Sequence, residues 1–395
     1  MYIESISFSK KPINGKGWEI EKCNFNKINL IAGQNSAGKT RLLKAIDSLV
    51  TLLSNNGAKI QSGFDVHWNI FLQGRKDYYH YELKIEDTIV VFEKLSKNDN
   101  IYFQRDKEGK GKIQYESQDN LELDFEIEKD KFVINSKRDK SQHPTLEVIL
   151  KWANSIYMYK FGDKLGRNTL MSPQLNIDEN ELSNRIGKDD DAVVLKLEKG
   201  LKEYGDIFKK NIIKDFNAIG YRLEDINTTK LNEVIKDLPD EIKMSIPSTI
   251  YIKEQGIEDK ILQHDISQGM FRVLSLIIQL KYLEYELEES DMMILIDDIG
   301  EGLDYERATK LIKYIIENSK KLEDKVQLIM TTNDRFTMNN IPLEYWIIID
   351  KKESGKINFY TKQTHQECFE DFEDIGLNNF DFFSGQYYKD CIGQN

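Results

Sequence analysis

The residues Gly33-Gln34-Asn35-Ser36-Ala37-Gly38-Lys39-Thr40 lie between an apolar run and a stretch with helical spacing. Their pattern is G-x-x-x-x-G-K-T. Glycines at those places let backbone N–H groups wrap an anion, and the helix that follows turns its positive end toward it. Lys39 is placed to reach the outer phosphates of a nucleotide, and the Thr40 hydroxyl to ligate Mg2+. Gly33, Asn35, Ser36, Ala37, Gly38, Lys39, Thr40 and Arg41 are the candidate phosphate cradle. A second pattern is Met292-Met293-Ile294-Leu295-Ile296-Asp297-Asp298, an apolar strand that ends in two carboxylates. Asp297 would hold the metal opposite Thr40, directly or through water. Asp298, next along the chain, would polarise an attacking water.

These residues need a frame. Lys27–Ala32 has the near-continuous apolar character of a buried strand, and Lys39–Leu53 carries apolar residues at helical spacing (Leu42, Leu43, Ile46, Leu49, Val50, Leu53). Residues 64–135 break into short strand-like stretches: Asp65–Leu72, Tyr78–Ile85, Thr88–Leu95, Ile101–Gln104, Lys112–Glu116, Leu121–Ile127 and Phe132–Asn135. The Asn, Gly, Asp and Lys clusters between them predict antiparallel hairpins. From Thr145 the period becomes helical through Ile156, and residues 178–240 read as charged helix. A strong helix is expected over Gly269–Leu287, with strands at Thr249–Lys253, Met292–Ile296, Val326–Thr331, Tyr345–Asp350 and Lys356–Tyr360. A further helix spans Tyr305–Leu322. The acidic, aromatic tail from 365 to 395 reads as a docking strip or as part of the core.

Between the two patterns lies Ile266-Ser267-Gln268-Gly269-Met270-Phe271-Arg272, 30 residues before Asp297 at the start of a helix. This segment resembles the S-x-G-x-x-R signature of ABC-type ATPases in the SMC, RecF and OLD-like branch, which includes AAA15/AAA21-like ATP-binding proteins of bacterial anti-phage systems. The resemblance covers residues 1–135 and 245–362. It implies an α/β fold: a P-loop NTPase with an ABC-ATPase-type head, a mixed central sheet, an antiparallel β subdomain and a helical insertion. The division it suggests is 1–135 as a first ATPase lobe, 136–245 as a helical insertion or lid, 246–362 as a second lobe and 363–395 as a tail. In that family the signature binds the γ-phosphate of ATP held by another subunit, which assigns Ser267, Gln268 and Gly269 to a nucleotide across a dimer interface. Gly300-Glu301-Gly302-Leu303-Asp304 resembles the D-loop, with Asp304 as its aspartate. Asn333, in Thr331-Thr332-Asn333-Asp334, stands where the family usually has a switch histidine, and Asp298 where it usually has glutamate. A shorter carboxylate and an uncharged amide imply slow or partner-dependent hydrolysis, with Glu301 the fallback carboxylate. The coupling glutamine has two candidates by position, Gln142 and Gln174. Trp18 either stacks on the adenine or belongs to the core.

The resemblance implies ATP and Mg2+ as cofactors and a homodimer, or a larger homo-oligomer, closed around ATP. Too few residues follow the last strand for a nuclease domain, so an effector, a nuclease or toxin, would be a separate chain. A RecF- or SMC-like repair ATPase that touches nucleic acid, and a nucleotide-gated scaffold with almost no turnover, are the alternatives. The net charge of −12 argues against coating DNA by bulk charge. The first residues hold no signal peptide and no apolar run approaches the ~20 residues that span a bilayer. Three scattered cysteines fit a reducing compartment, so the expectation is a cytoplasmic protein without membrane contact. The five histidines are isolated and suggest no metal site of their own.

Overall fold

The structure is a computed structural model that describes residues 1–12, 17–54, 60, 62–116, 121–168, 188–230, 248–286, 291–322, 325–351 and 357–389. In chain order its elements are β1 (Tyr2–Pro12), β2 (Trp18–Asn24), β3 (Ile28–Gly33), α1 (Lys39–Ser54), β4 (Phe64–Gln73), β5 (Tyr78–Glu86), β6 (Ile89–Lys97), β7 (Asn100–Arg105), β8 (Lys110–Tyr115), β9 (Leu121–Glu126), α2 (Val133–Ser136), α3 (Pro144–Asn154), β10 (Ile156–Lys160), α4 (Val193–Ala218), β11 (Leu223–Lys230), β12 (Ser248–Glu254), β13 (Ile261–Leu262), α5 (Gln268–Glu286), β14 (Met292–Asp297), α6 (Tyr305–Lys321), β15 (Val326–Thr332), α7 (Arg335–Asn339), β16 (Trp346–Lys351), β17 (Ile357–Tyr360), α8 (Gln366–Ile375) and α9 (Asn379–Ser384).

The central sheet runs β10-β14-β15-β3-β16-β17, parallel except for the last strand. Its middle strands β3, β14 and β15 are buried from end to end because both faces are covered. Alternate residues serve different cores. Leu30, Ala32, Ile294 and Ile296 face the helices α4, α5 and α6, whereas Ile31, Met293 and Leu295 face α1, α3 and the antiparallel sheet. This is why such strands read as unbroken apolar runs. In register, Lys160 lies beside Asp297, Ile296 beside Met330 and Thr332 beside Ala32. The carboxyl ends of β10, β14, β15 and β3 therefore meet at one rim, where open α/β sheets bind ligands.

A second sheet, β2-β1-β4-β5-β6-β7-β8-β9, is antiparallel throughout. Its turns place Asp87, Asn98 and Asp99 in the left-handed region, which short polar side chains tolerate. Trp68 ties the sheet to α1 by donating to the Ala45 carbonyl at 2.9 Å. A third sheet, β11-β12-β13, precedes α5. The fold is thus α/β with mixed and antiparallel sheets, as the resemblance implies.

Three local expectations change, and of the two readings of the tail the core one holds. Phe132–Asn135 does not form a strand: three successive side chains, Phe132, Val133 and Ile134, are buried, and Glu93 accepts the Val133 N–H at 2.8 Å, so the chain turns into α2. The helical period ends before Ile156, which opens β10 beside β14. Residues 223–230 form a strand, because the Asn217 side chain bonds both the N–H and the carbonyl of Leu223 and Gly220, at φ +103°, ends α4. The tail folds as α8 and α9 onto the core through Phe369, Phe372, Phe382 and Tyr388. Cys23 is buried and free, but Cys368 is disulfide-bonded, so the expectation of reduced cysteines fails there. Among the described residues, no helix is long and apolar enough to cross a membrane.

One buried charge predicts a pH dependence. Lys196, on α4, is fully buried; its ammonium donates to Gln279 Oε1 at 2.5 Å and to the Asp189 carbonyl at 2.7 Å. Burial pushes its pKa down from 10.5 to about 7. The unfolded chain therefore holds more protons than the folded one between those values, and this group makes stability rise with pH across that window and level off above it. Urea unfolding of the wild type and of Lys196→Met should show a stability difference that moves in favour of the wild type from pH 7 to pH 10. A constant difference would remove Lys196 as the source.

Candidate functional site

The P-loop turns between β3 and α1. A Cβ at Gly33 would stand 2.4 Å from a methyl of Ile349, so only glycine fits. Ser36 and Gly38 take positive φ, 63° and 115°, which bends the chain around a hollow. Asn35 and Ser36 are exposed and Ala37 is buried. Lys39 is almost fully buried and folds back onto its own loop, donating to the carbonyls of Gly33 at 2.8 Å and Gln34 at 3.1 Å. Burial lowers its pKa, against the pull of Asp298 and Asp297. Arg41 does not enter the hollow: its guanidinium lies 5.9 Å from the ring of Trp18. The same ring covers Gly38, and the Trp18 indole N–H is buried without a partner.

The acidic side comes from strand ends 257 residues away in sequence. Asp297 Oδ1 accepts from Thr40 Oγ1 at 3.0 Å and from Thr331 Oγ1 at 2.6 Å. A hydroxyl and a carboxylate joined in this way are the hard oxygen donors that suit Mg2+. Asp298 has φ +54°, unusual for a residue with a side chain, and its N–H bonds Thr331 Oγ1 at 2.9 Å. Asn333 donates to Asp298 Oδ1 at 3.3 Å, so the two residues that depart from the family pattern touch each other. Burial raises the Asp298 pKa, and the charges of Asp297 and Glu301 raise it further, with Lys39 opposing. Gly162 closes the group, since a Cβ there would meet Glu301 Oε2 at 2.7 Å and Asp298 Cβ at 3.1 Å.

Ser267, Gln268 and Gly269 are not in this cluster. Ser267 and Gln268 are exposed at the start of α5, and Ser267 with Gly269 lines a separate cavity of about 530 Å3 together with Asp304 and Arg307. Asp304 caps α6: its Oδ1 accepts the Arg307 N–H at 3.0 Å and it pairs with the Arg307 guanidinium. The residues predicted from sequence thus form two groups, one at the rim of the central sheet and one on the signature face.

Arg272 joins the two groups, a role that motif spacing alone did not reveal. Its guanidinium donates to the carbonyls of Asp163 and Glu301, both at 2.9 Å, and to that of Gly162. Ser275 adds a bond to the Leu165 carbonyl at 2.8 Å. The signature helix therefore grips the segment that follows β10, beside the candidate catalytic carboxylates. That segment reads Phe161-Gly162-Asp163 and holds no glutamine. Gln142 is far from it, in the loop before α3, bonded through its backbone to Asp139 and Glu116. Gln174 lies outside the described residues.

A P-loop on a central sheet, an oxygen pair for a divalent cation and a remote signature face define a P-loop ATPase head. The fold is similar to the crystal structure of an Smc head bound to the C-terminal winged-helix domain of ScpA, with a TM-score of 0.51, 14% identity and coverage of 91% of this chain and 97% of that one. An Smc head from Pyrococcus furiosus with an extended coiled coil, bound to the C-terminal domain of ScpA, gives a TM-score of 0.46, 12% identity and coverage of 94% and 99%. The SMC head from Thermotoga maritima gives 0.43, 12%, 91% and 99%. No curated protein matches the chain. Residues 28–339 match the profile described as "AAA domain, putative AbiEii toxin, Type IV TA system", and the chain belongs to that family. It is an ATP-binding protein of the AAA class, with a fold similar to that of an Smc head.

Proposed function

We propose that this chain is an ATP-driven switch that closes into a homodimer around two nucleotides and, on closing, controls a separate effector. The observation that carries the reading is the division of the site: no P-loop residue lines the cavity that holds Ser267, Gly269 and Asp304. A signature face without its own nucleotide is complete only against the P-loop of a second copy.

In this reading Gly33, Asn35, Ser36, Ala37 and Gly38 cradle the phosphates with backbone N–H groups. Lys39 leaves the Gly33 and Gln34 carbonyls for the β- and γ-phosphates. Thr40 and Asp297 hold Mg2+, which would neutralise charge between the β- and γ-oxygens. Trp18, with Arg41 on its ring, offers a face to the base, and its unpartnered indole N–H supports a polar neighbour there. Asp298 accepts a proton from the attacking water, Asn333 holds its carboxylate in place, and Glu301 stands behind it. The raised pKa of Asp298 makes it a stronger base than an ordinary carboxylate, yet the pairing with an amide rather than an imidazole keeps turnover slow. The family description names a putative toxin of a type IV toxin–antitoxin system, which supports a setting of that kind.

Ser267→Arg tests the division. A long cation at the helix start leaves the P-loop untouched, so ATP affinity should stay within about twofold of wild type. The ATP-dependent dimer, read by light scattering, should disappear. A Ser267→Arg chain that dimerises normally would contradict the reading.

A further inference from the structure

We propose that Arg222 acts in trans, contacting the polyphosphate of the nucleotide held by a second copy of this chain. The proposal rests on the dimer reading above and extends it to a residue that belongs to neither the P-loop nor the signature.

Arg222 lies on the tight turn between α4 and β11. The turn is held rigidly: Asn217 bonds both backbone groups of Leu223, at 2.6 and 2.8 Å, and the Arg222 carbonyl accepts the Gln255 N–H at 2.8 Å. The side chain is exposed and, among the described residues, makes no hydrogen bond or ion pair. It lines the 530 Å3 cavity with Ser267 and Gly269, and the carboxylates of that lining are Glu254 and Asp304. Next to it, Tyr221 is stacked on Phe216, with ring centres 4.3 Å apart and planes 5° from parallel, and the Arg307 guanidinium covers the other face at 4.7 Å. Arg307 is paired with Asp304. Among the described residues, Arg222 is the cation of this wall that makes no ion pair.

Charge on the facing half explains what it would meet. At the P-loop, the cation Lys39 faces Asp298 and Asp297, and Glu301 and Asp163 add their charge beside Asp298. A nucleoside triphosphate added there brings further negative charge. Mg2+ and Lys39 meet part of it, and a second copy docking its signature face would bring Arg222 to the rest. Arginine suits this work because its planar fork binds phosphate oxygens in pairs.

The experiment measures the protein concentration at which half the full-length chain is dimeric in Mg-ATP, by sedimentation, for the wild type, Arg222→Ala, Arg222→Lys, Arg222→Glu and Ser267→Arg. Thermal unfolding in the absence of nucleotide establishes that each variant is folded. Arg222→Ala should raise the midpoint at least about tenfold, Arg222→Lys by less, and Arg222→Glu should prevent dimerisation. Mixing the Arg222→Glu chain with a Lys39→Ala chain should restore an ATP-dependent heterodimer, because one intact composite site then exists. If Arg222→Ala and Arg222→Glu dimerise like the wild type while Ser267→Arg does not, the trans role of Arg222 is wrong and the dimer reading stands. A wild type that stays monomeric in ATP overturns both. A mixture that stays monomeric overturns the placement of Arg222 opposite the P-loop of the other copy.

Discussion

Lys39→Ala is expected to weaken ATP binding by about 100-fold or more. The ammonium is the cation that the P-loop itself supplies, and it is held in reserve by two carbonyls at 2.8 and 3.1 Å, within the hollow that the phosphates would fill. Exchanging those neutral acceptors for phosphate oxygens gains charge-assisted bonds, each about twice as strong as a neutral one. A loss of about 3 kcal/mol corresponds to the stated factor. Fluorescence titration with a labelled ATP analogue reads it directly. The apo fold should change little, because α1 is anchored by Leu42, Leu43, Ile46 and Leu49 rather than by the lysine. Binding within a few-fold of wild type would mean that this loop is not the phosphate cradle.

The second large effect is expected at Asp298. Asp298→Asn preserves the shape of the side chain and leaves an oxygen to accept from Asn333, but removes the base. Hydrolysis should fall by about 100-fold or more, the usual range for a lost general base. The ATP-bound dimer should then accumulate. The same substitution should stabilise the nucleotide-free chain at neutral pH. Asp298 is a raised carboxylate, so its ionised form is penalised in the fold; that penalty is present above its folded pKa and absent below the ordinary carboxylate value. The advantage of Asp298→Asn in thermal unfolding should accordingly vanish as the pH falls into the carboxylate range. Unchanged turnover would pass the role to Glu301, whose carboxylate lies beside Gly162 as that of Asp298 does.

The parts of the site that a sequence displays best are those made by neighbours in the chain. The P-loop is a single turn whose glycines, lysine and threonine act within eight residues, and the apolar run before Asp297 announces a buried strand. Pairing Thr40 with Asp297 followed from the motif, and the fold brings them to 3.0 Å. What spacing did not reveal depends on which strand lies beside which. The helical period from Thr145 runs into Ile156, the first residue of β10, so the segment after that strand, Gly162 and Asp163, has no place beside the carboxylates, and the coupling glutamine is sought at Gln142 or Gln174. Arg272 was visible as the last letter of a motif, but its grip on the carbonyls of residues 162, 163 and 301 exists only once α5 lies across that rim. Asn333 and Asp298 were each seen as a departure from a family pattern. Their contact at 3.3 Å, which ties the two departures together, is visible only in the fold. The turn at 132–136 failed for a similar reason, because its shape is imposed by Glu93 from another strand.

The most direct test of the account is the molar mass of the Asp298→Asn chain in Mg-ATP and in Mg-ADP, measured by light scattering on a sizing column. A twofold increase over the 46.2 kDa of one chain is expected in ATP and none in ADP. A single-chain mass with ATP demonstrably bound would contradict the claim that this protein is a switch closed by nucleotide between two copies.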